Sequence, residues 1–296
     1  VDLRFAEVNP AFERQTGLSN VVGRLVSEVA PGTEAEWIET YGDVARTGAA
    51  KRFEMQHADT GRWYDIYATR LSGPHSPRVS IVFRDISARK RAEESEREDQ
   101  ERQAFLLTLS DVLRPLADPL EIIGAATRLL GIGLSASRAY YAEWPPGTDH
   151  VDIRRDYAAS DLPSLVGRYP IENFRYTDDR FREGRTWVVE DAADGTLPAA
   201  ERDYCLAHGV AAWIDVPLVK DGKLQAALFL VQDAPRCWTA AEVPLVEEVA
   251  ERTWAAIERA RVEEALRESE ANYRRLFQIM DEGYVIAELI PDKDGR

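Results

Sequence analysis

Nucleophiles, metal ligands and phosphate-binding loops carry most protein chemistry, and this chain offers few of them. It holds four histidines, His57, His75, His150 and His208, and two cysteines, Cys205 and Cys237. The histidines are scattered; His75 falls in a turn and His150 in a loop, and neither has a neighbouring Cys at the short spacing of a zinc site. No G-x-x-x-x-G-K-[ST], G-x-G-x-x-G or H-E-x-x-H occurs. No segment reads as a phospho-acceptor helix or an ATP lid. These residues are therefore expected not to form an enzyme, and any phosphotransfer would lie beyond Arg296.

Composition narrows the partners. Over 296 residues the formal net charge is −15 and the apolar share is 45%. A globular core is within reach, and the length suggests about two domains. So acidic a chain lacks the basic face that nucleic acid requires and is not drawn to anionic lipid. No apolar run approaches the length that spans a bilayer, and no n-region or h-region opens the chain. Two cysteines are too few for a disulfide framework, which points to a reduced, cytoplasmic setting. The first and last residues read as the ends of a fragment.

The elements that must position any site fall into blocks. Residues 1–86 read as a small α+β unit, with short helices in "NPAFERQTGL", "VGRLVSEVAP" and "EAEWIETYGDVARTG". The strands "KRFEMQHADTGRWYDIYATRL" and "RVSIVFRDI" follow. Residues 104–260 read as a second α+β unit. Its helix "FLLTLSDVLRPLADPLEIIGAATRLLGIGL" breaks around Pro115 and Pro119, and strands follow in "RAYYAEW" and "VDIRRDYA". Further on, "TWVVED" is a strand, "PAAERDYCLAHG" a helix, and "AAWIDVPLVKDGKLQAALFLVQ" a hairpin turning on Asp221-Gly222. Thr239 to Glu242, "TAAE", is a capping box.

Two charged rods connect the blocks. From Arg78 to Arg114 and from Leu245 to Glu282 no Gly or Pro interrupts the chain. The first, a connecting helix over 87–110, is poor in apolar residues (Ile86, Ala92, Phe105), and a partner helix is expected to support it. Asp85 or Ser87 can cap its start, and Asp85 and Arg89 stand four apart. The second, over 245–280, carries two stripes at spacings of 3 and 4. Val246, Ala250, Thr253, Ile257 and Ala260 form one, and Val262, Leu266, Ser269, Tyr273 and Leu276 the other. They are offset near Arg261, as in a stuttered coiled coil. "RKRAEESERE" and "RARVEEALRESE" form a loose internal repeat of such connectors.

Residues 1–86 resemble a PAS domain whose first strand is partly missing, through "FAEVNPAFERQTGL", "VVGRLVSEVAPG", "GRWYDIYATRL" and the closing "DISARKRAEE". Residues 104–260 resemble a GAF domain through "SRAYYAEW", "SDLPSLVGRYPIENF", "REGRTWVVEDAADG" and "GVAAWIDVPLVKDGKLQAALFLVQ". "NYRRLFQIMDEGY" resembles the opening of another PAS domain, with 281–296 as its truncated start. This order is typical of the input regions of bacterial histidine kinases. The resemblance implies two antiparallel-sheet sensor domains and a signalling role for the rods. Asp85, Ile86, Ser87, Arg89, Ile257, Val262, Leu266 and Tyr273 are the candidate transmission residues. It also implies a parallel homodimer and a downstream output domain in the same chain. A diguanylate cyclase or phosphodiesterase output, a ligand-free dimerisation module and, less favoured, a bilin photoreceptor are the alternatives.

The resemblance also allows cofactors to be checked against residues. Residues 1–86 contain no Cys, which excludes the flavin photochemistry of some PAS domains. His57 falls in the strand region, as an exposed strand residue rather than a heme ligand. Phytochrome-type GAF domains attach bilin through a Cys about nine residues before the Gly matching Gly209, and here that position is Ala200. Cys205, at helical spacing, would face elsewhere as a buried, inert thiol, so no covalent bilin is expected. A small-molecule ligand remains a candidate partner, and its pocket would be lined by Tyr141, Trp144, Arg155, Tyr157, Phe174, Arg175, Trp213 and Asp215. Arg155 or Arg175 would pair a carboxylate or phosphate. The competing expectation is that the aromatics fill the core and the arginines face solvent.

Overall fold

The computed structural model describes residues 2–33, 35–71, 77–159, 162–171, 181 and 183–279, and divides the chain into units at Val1–Gln100 and Glu101–Arg296. It is an α+β protein.

The first unit opens on α1 (Pro10–Thr16), α2 (Val26–Val29) and α3 (Ala35–Thr47). "NPAF" works as a helix start: the Asn9 side chain accepts from the Phe12 N–H at 3.0 Å, and Pro10 occupies the first turn. A three-stranded antiparallel meander follows, β1 (Lys51–His57), β2 (Arg62–Arg70) and β3 (Val79–Asp85). The helix-spaced Trp37, Tyr41 and Val44 of α3 meet the alternating Tyr64, Ile66 and Ala68 of β2 in one apolar cluster. His57 is half-buried rather than exposed. Its ring lies 5.4 Å from that of Trp37 and its Nε2 is 3.0 Å from Thr33 Oγ1.

The first rod is helix α4 (Ser87–Leu113). Asp85 accepts from the Ser87 N–H at 2.8 Å, while Ser87 Oγ accepts from the Trp63 N–H at 2.9 Å, and Ile86 is buried. Arg89 does not pair with Asp85. It reaches Glu54 and Glu93, both at 2.6 Å, while Asp85, still in β3 ahead of the helix, faces Arg62 at 3.7 Å.

The second unit contains α5 (Pro119–Gly133), capped by Asp118, and a six-stranded antiparallel sheet in the order β6-β5-β4-β9-β8-β7. The strands are β4 (Arg138–Glu143), β5 (His150–Ala158), β6 (Gly167–Pro170), β7 (Trp187–Val189), β8 (Ala212–Lys220) and β9 (Lys223–Gln232). Helix α6 (Ala199–Ala207) precedes β8, and α7 (Glu242–Ile279) follows β9. The β8–β9 turn takes positive φ at Asp221 and Gly222 (52° and 70°), as a tight hairpin requires. The capping box also forms: Glu242 accepts from the Thr239 N–H at 2.7 Å, and Thr239 Oγ1 accepts from the Glu242 N–H at 3.3 Å.

The sheet is buried on both faces. Leu106, Leu109 and Leu113 of α4, together with α5 and the first half of α7, cover one face through Ala139, Tyr141, Ile214, Val216, Leu228 and Leu230. The other face carries an aromatic cluster that includes Phe181, Trp187, Trp213 and Phe229, with Cys205 of α6.

Candidate functional site

Strand register builds the site. Trp187 stands opposite Asp215, Asp215 opposite Phe229, and Phe229 opposite Tyr140. A carboxyl group therefore sits inside a row of aromatic side chains on the face opposite α4, α5 and α7. The Tyr140 and Phe229 rings stack at 4.6 Å and 8°, and Trp187 meets Trp213 edge-on at 5.1 Å. Tyr140, Cys205, Trp213, Asp215 and Phe229 line a small cavity of about 40 Å³, to which Tyr204 and His208 also contribute.

Asp215 is 4% exposed, and burial pushes its carboxyl well above the usual carboxylate range. Its Oδ1 and the Trp213 Nε1 are buried without a hydrogen-bond partner among the described residues. Burial also raises the Cys205 thiol to about 11, with the Asp215 carboxyl and Glu201 adding to the shift.

Several of the expected pocket residues lie elsewhere. Tyr141, next to Tyr140 on β4, faces the helices instead, because successive strand residues alternate between faces. Arg155 and Tyr157 also leave the pocket. Arg155 borders an open cleft between α5 and β5, and the Tyr157 ring lies against Gly131, where an added Cβ would come within 2.0 Å of it. Trp144 packs on the pocket side, 6.2 Å from Phe181. Trp213 and Asp215 line the small cavity, and Phe174 and Arg175 lie outside the described residues. Cys205 does not face elsewhere: α6 turns it onto the cavity wall. Tyr140 and Phe229 are the functional candidates that the sequence did not single out.

The helices form a second functional element. α4 and α7 run parallel, because Arg102–Glu248, Arg252–Leu106 and Arg259–Leu113 share one offset of 146 residues. Arg252 donates to the Leu106 carbonyl at 3.1 Å and to Ser110 Oγ at 2.7 Å, and Arg259 donates to the Leu113 carbonyl at 3.1 Å. Val246, Ala250, Thr253, Ile257 and Ala260 are wholly buried. Ile257 is thus a core residue and not part of an exposed helix seam. At the offset Arg261 bonds Glu143 at the end of β4 and Glu258 at 2.8 Å. Beyond it, Val262, Leu266, Tyr273 and Leu276 are 56–66% exposed. The stutter marks where α7 leaves the sheet.

Residues 118–257 match the family profile of the GAF domain. This segment forms a GAF domain. Among solved structures, the phycoerythrobilin-bound GAF domain from a cyanobacterial phytochrome is 16% identical and aligns over 55% of this chain and 97% of that one, with a TM-score of 0.50. The phycocyanobilin-bound GAF domain from a cyanobacterial phytochrome gives 17%, 55%, 96% and 0.50. The blue-light absorbing form of the Thermosynechococcus elongatus PixJ GAF-domain gives 20%, 55%, 95% and 0.44. At such identities the likeness concerns the fold. No curated protein matches the chain. In this GAF domain the aromatic cluster and the helix layer cover opposite faces of one sheet. Among the described residues no helix is long and apolar enough to cross a membrane.

Proposed function

We propose that the chain is the sensory, signal-relaying region of a cytoplasmic bacterial signalling protein, a histidine kinase by its domain order, working as a parallel homodimer. The observation that carries this reading is the division of α7 at Arg261, with one stripe inside the GAF core and the next exposed. Change on the aromatic face reaches that helix through β8. Trp213 and Asp215 face the cavity, and the intervening Ile214 packs in the cluster that holds α7. The parallel α4 brings input from residues 1–86, which we read as a PAS domain, into the same helix layer. A rod leaving a packed core transmits a small displacement, and two rods in register give it alternative packings.

The partner we assign to the exposed stripe is a second copy of this chain. Val262, Leu266, Ser269, Tyr273 and Leu276 repeat at 4 and 3, the spacing of a heptad seam. In a parallel, in-register pair each seam residue meets its own counterpart. Leu266→Cys in a Cys237→Ser background, gently oxidised, is expected to give a covalent dimer, and Glu264→Cys on the far side of the helix is not. Equal yields from the two would overturn the parallel seam. A bilin photoreceptor is less favoured. Attachment needs a thiolate nucleophile, and burial holds Cys205 protonated.

A further inference from the structure

The sensor reading names no ligand, and the cavity wall supplies its chemistry. We propose that the GAF cavity binds a small primary amine that carries an oxygen acceptor, with Asp215 as counter-ion and the Trp213 indole N–H as donor to that oxygen. The proposal rests on the reading of this domain as a sensor. It adds the class of ligand sensed.

Three observations converge. First, a carboxyl group in the middle of a sheet is flanked by Trp187 and Phe229 in register and has no partner for its Oδ1 among the described residues. Once ionised, that carboxyl group needs a counter-charge, and no Lys or Arg among the described residues lines the cavity. Second, Tyr140, Trp213 and Phe229 place aromatic rings around that carboxyl group, and ring faces attract ammonium groups. Third, Trp213 Nε1 is a second buried polar atom without a partner on the same wall. Asp215 and Trp213 are two residues apart on one strand face, roughly 7 Å between their Cα atoms. A cation at one and an acceptor at the other therefore belong to one short molecule. The volume sets its size: a water takes roughly 10–15 Å³ on this scale, so about 40 Å³ admits only a few heavy atoms.

Proton balance follows. In the empty domain burial favours the neutral acid. An ammonium beside it favours the carboxylate, so binding releases up to one proton from Asp215 to solvent, and affinity rises with pH while the amine stays protonated. The other titratable groups on the wall are Tyr140, Tyr204, Cys205 and His208. Of these only His208 can carry a positive charge; its Nδ1 is 2.7 Å from the Tyr204 carbonyl oxygen, and it forms no ion pair with Asp215.

The test is calorimetric titration of the whole chain with ethanolamine, ethylamine and ethylene glycol at pH 7, in two buffers of different ionisation enthalpy. Ethanolamine is expected to bind saturably, ethylamine several-fold more weakly, and ethylene glycol not at all. Asp215→Asn should weaken ethanolamine at least tenfold. Trp213→Phe should keep amine binding and lose the preference for ethanolamine. Absence of saturable amine binding overturns the proposal, as does equal binding by Asp215→Asn. None of these outcomes bears on the dimer seam, so the relay reading stands or falls separately.

Discussion

Asp215→Asn is expected to stabilise the protein increasingly as pH rises. The wild-type carboxyl is held above its unfolded value of about 3.9 by burial. Between that value and its raised one, the folded state keeps a proton that the unfolded state has lost. Stability then falls with rising pH, by up to about 1.4 kcal/mol per pH unit. Asparagine has no such slope. The depressed carboxylates, such as Glu54 beside Lys90 and Arg89, act oppositely, and their contribution is lost as pH falls through their own lower values. Urea unfolding of both proteins from pH 5 to 8 checks this, and the difference between them should widen with pH. A constant difference would mean that Asp215 is not the buried acid described here. A residue that destabilises the resting fold and sits in a cavity is the pattern of a site kept for binding.

Ile257→Ala and Leu266→Ala are expected to fail in different ways, although both remove a large apolar side chain from the same helix. Ile257 is wholly enclosed by α7, α5 and the sheet, so truncation leaves a cavity and costs about 2–5 kcal/mol at any protein concentration. Leu266 is 59% exposed. Within one chain its loss should cost less than about 0.5 kcal/mol. Any larger effect must come through the second copy and should therefore shrink with dilution. Thermal unfolding over a hundredfold range of concentration separates the two. A concentration-independent loss at Leu266 would place it in a core that the fold does not show.

Much of the fold was legible in local signals. The Thr239–Glu242 box, the Asp221-Gly222 turn and the proline break between α4 and α5 each depend on residues within a few positions of one another. The offset at Arg261 was legible too, but its meaning was not. A heptad pattern looks the same whether a stripe meets a sheet or another helix, and only tertiary packing assigns Ile257 to the first. The pocket was read poorly for a related reason. In "RAYYAEW" the faces of Tyr140 and Tyr141 differ by one step, and hydrophobicity chooses between them only when one face is wet. Here both faces are buried, so alternation carries no label, and the sequence does not distinguish Tyr141 on the helix side from Tyr140 on the cavity side. The arginine contacts from α7 to the carbonyls of Leu106 and Leu113 span about 146 residues, and no local rule reports them.

The central claim is that α7 leaves the GAF core as the seam of a dimer. Sedimentation equilibrium of the whole chain, beside Val262→Asp/Leu266→Asp, tests it most directly. Twice the chain mass is expected for the wild type at micromolar concentration, and a single chain mass for the variant. The melting of the variant should match that of the dissociated wild type. A monomeric wild type, or a dimer untouched by the two aspartates, would contradict it.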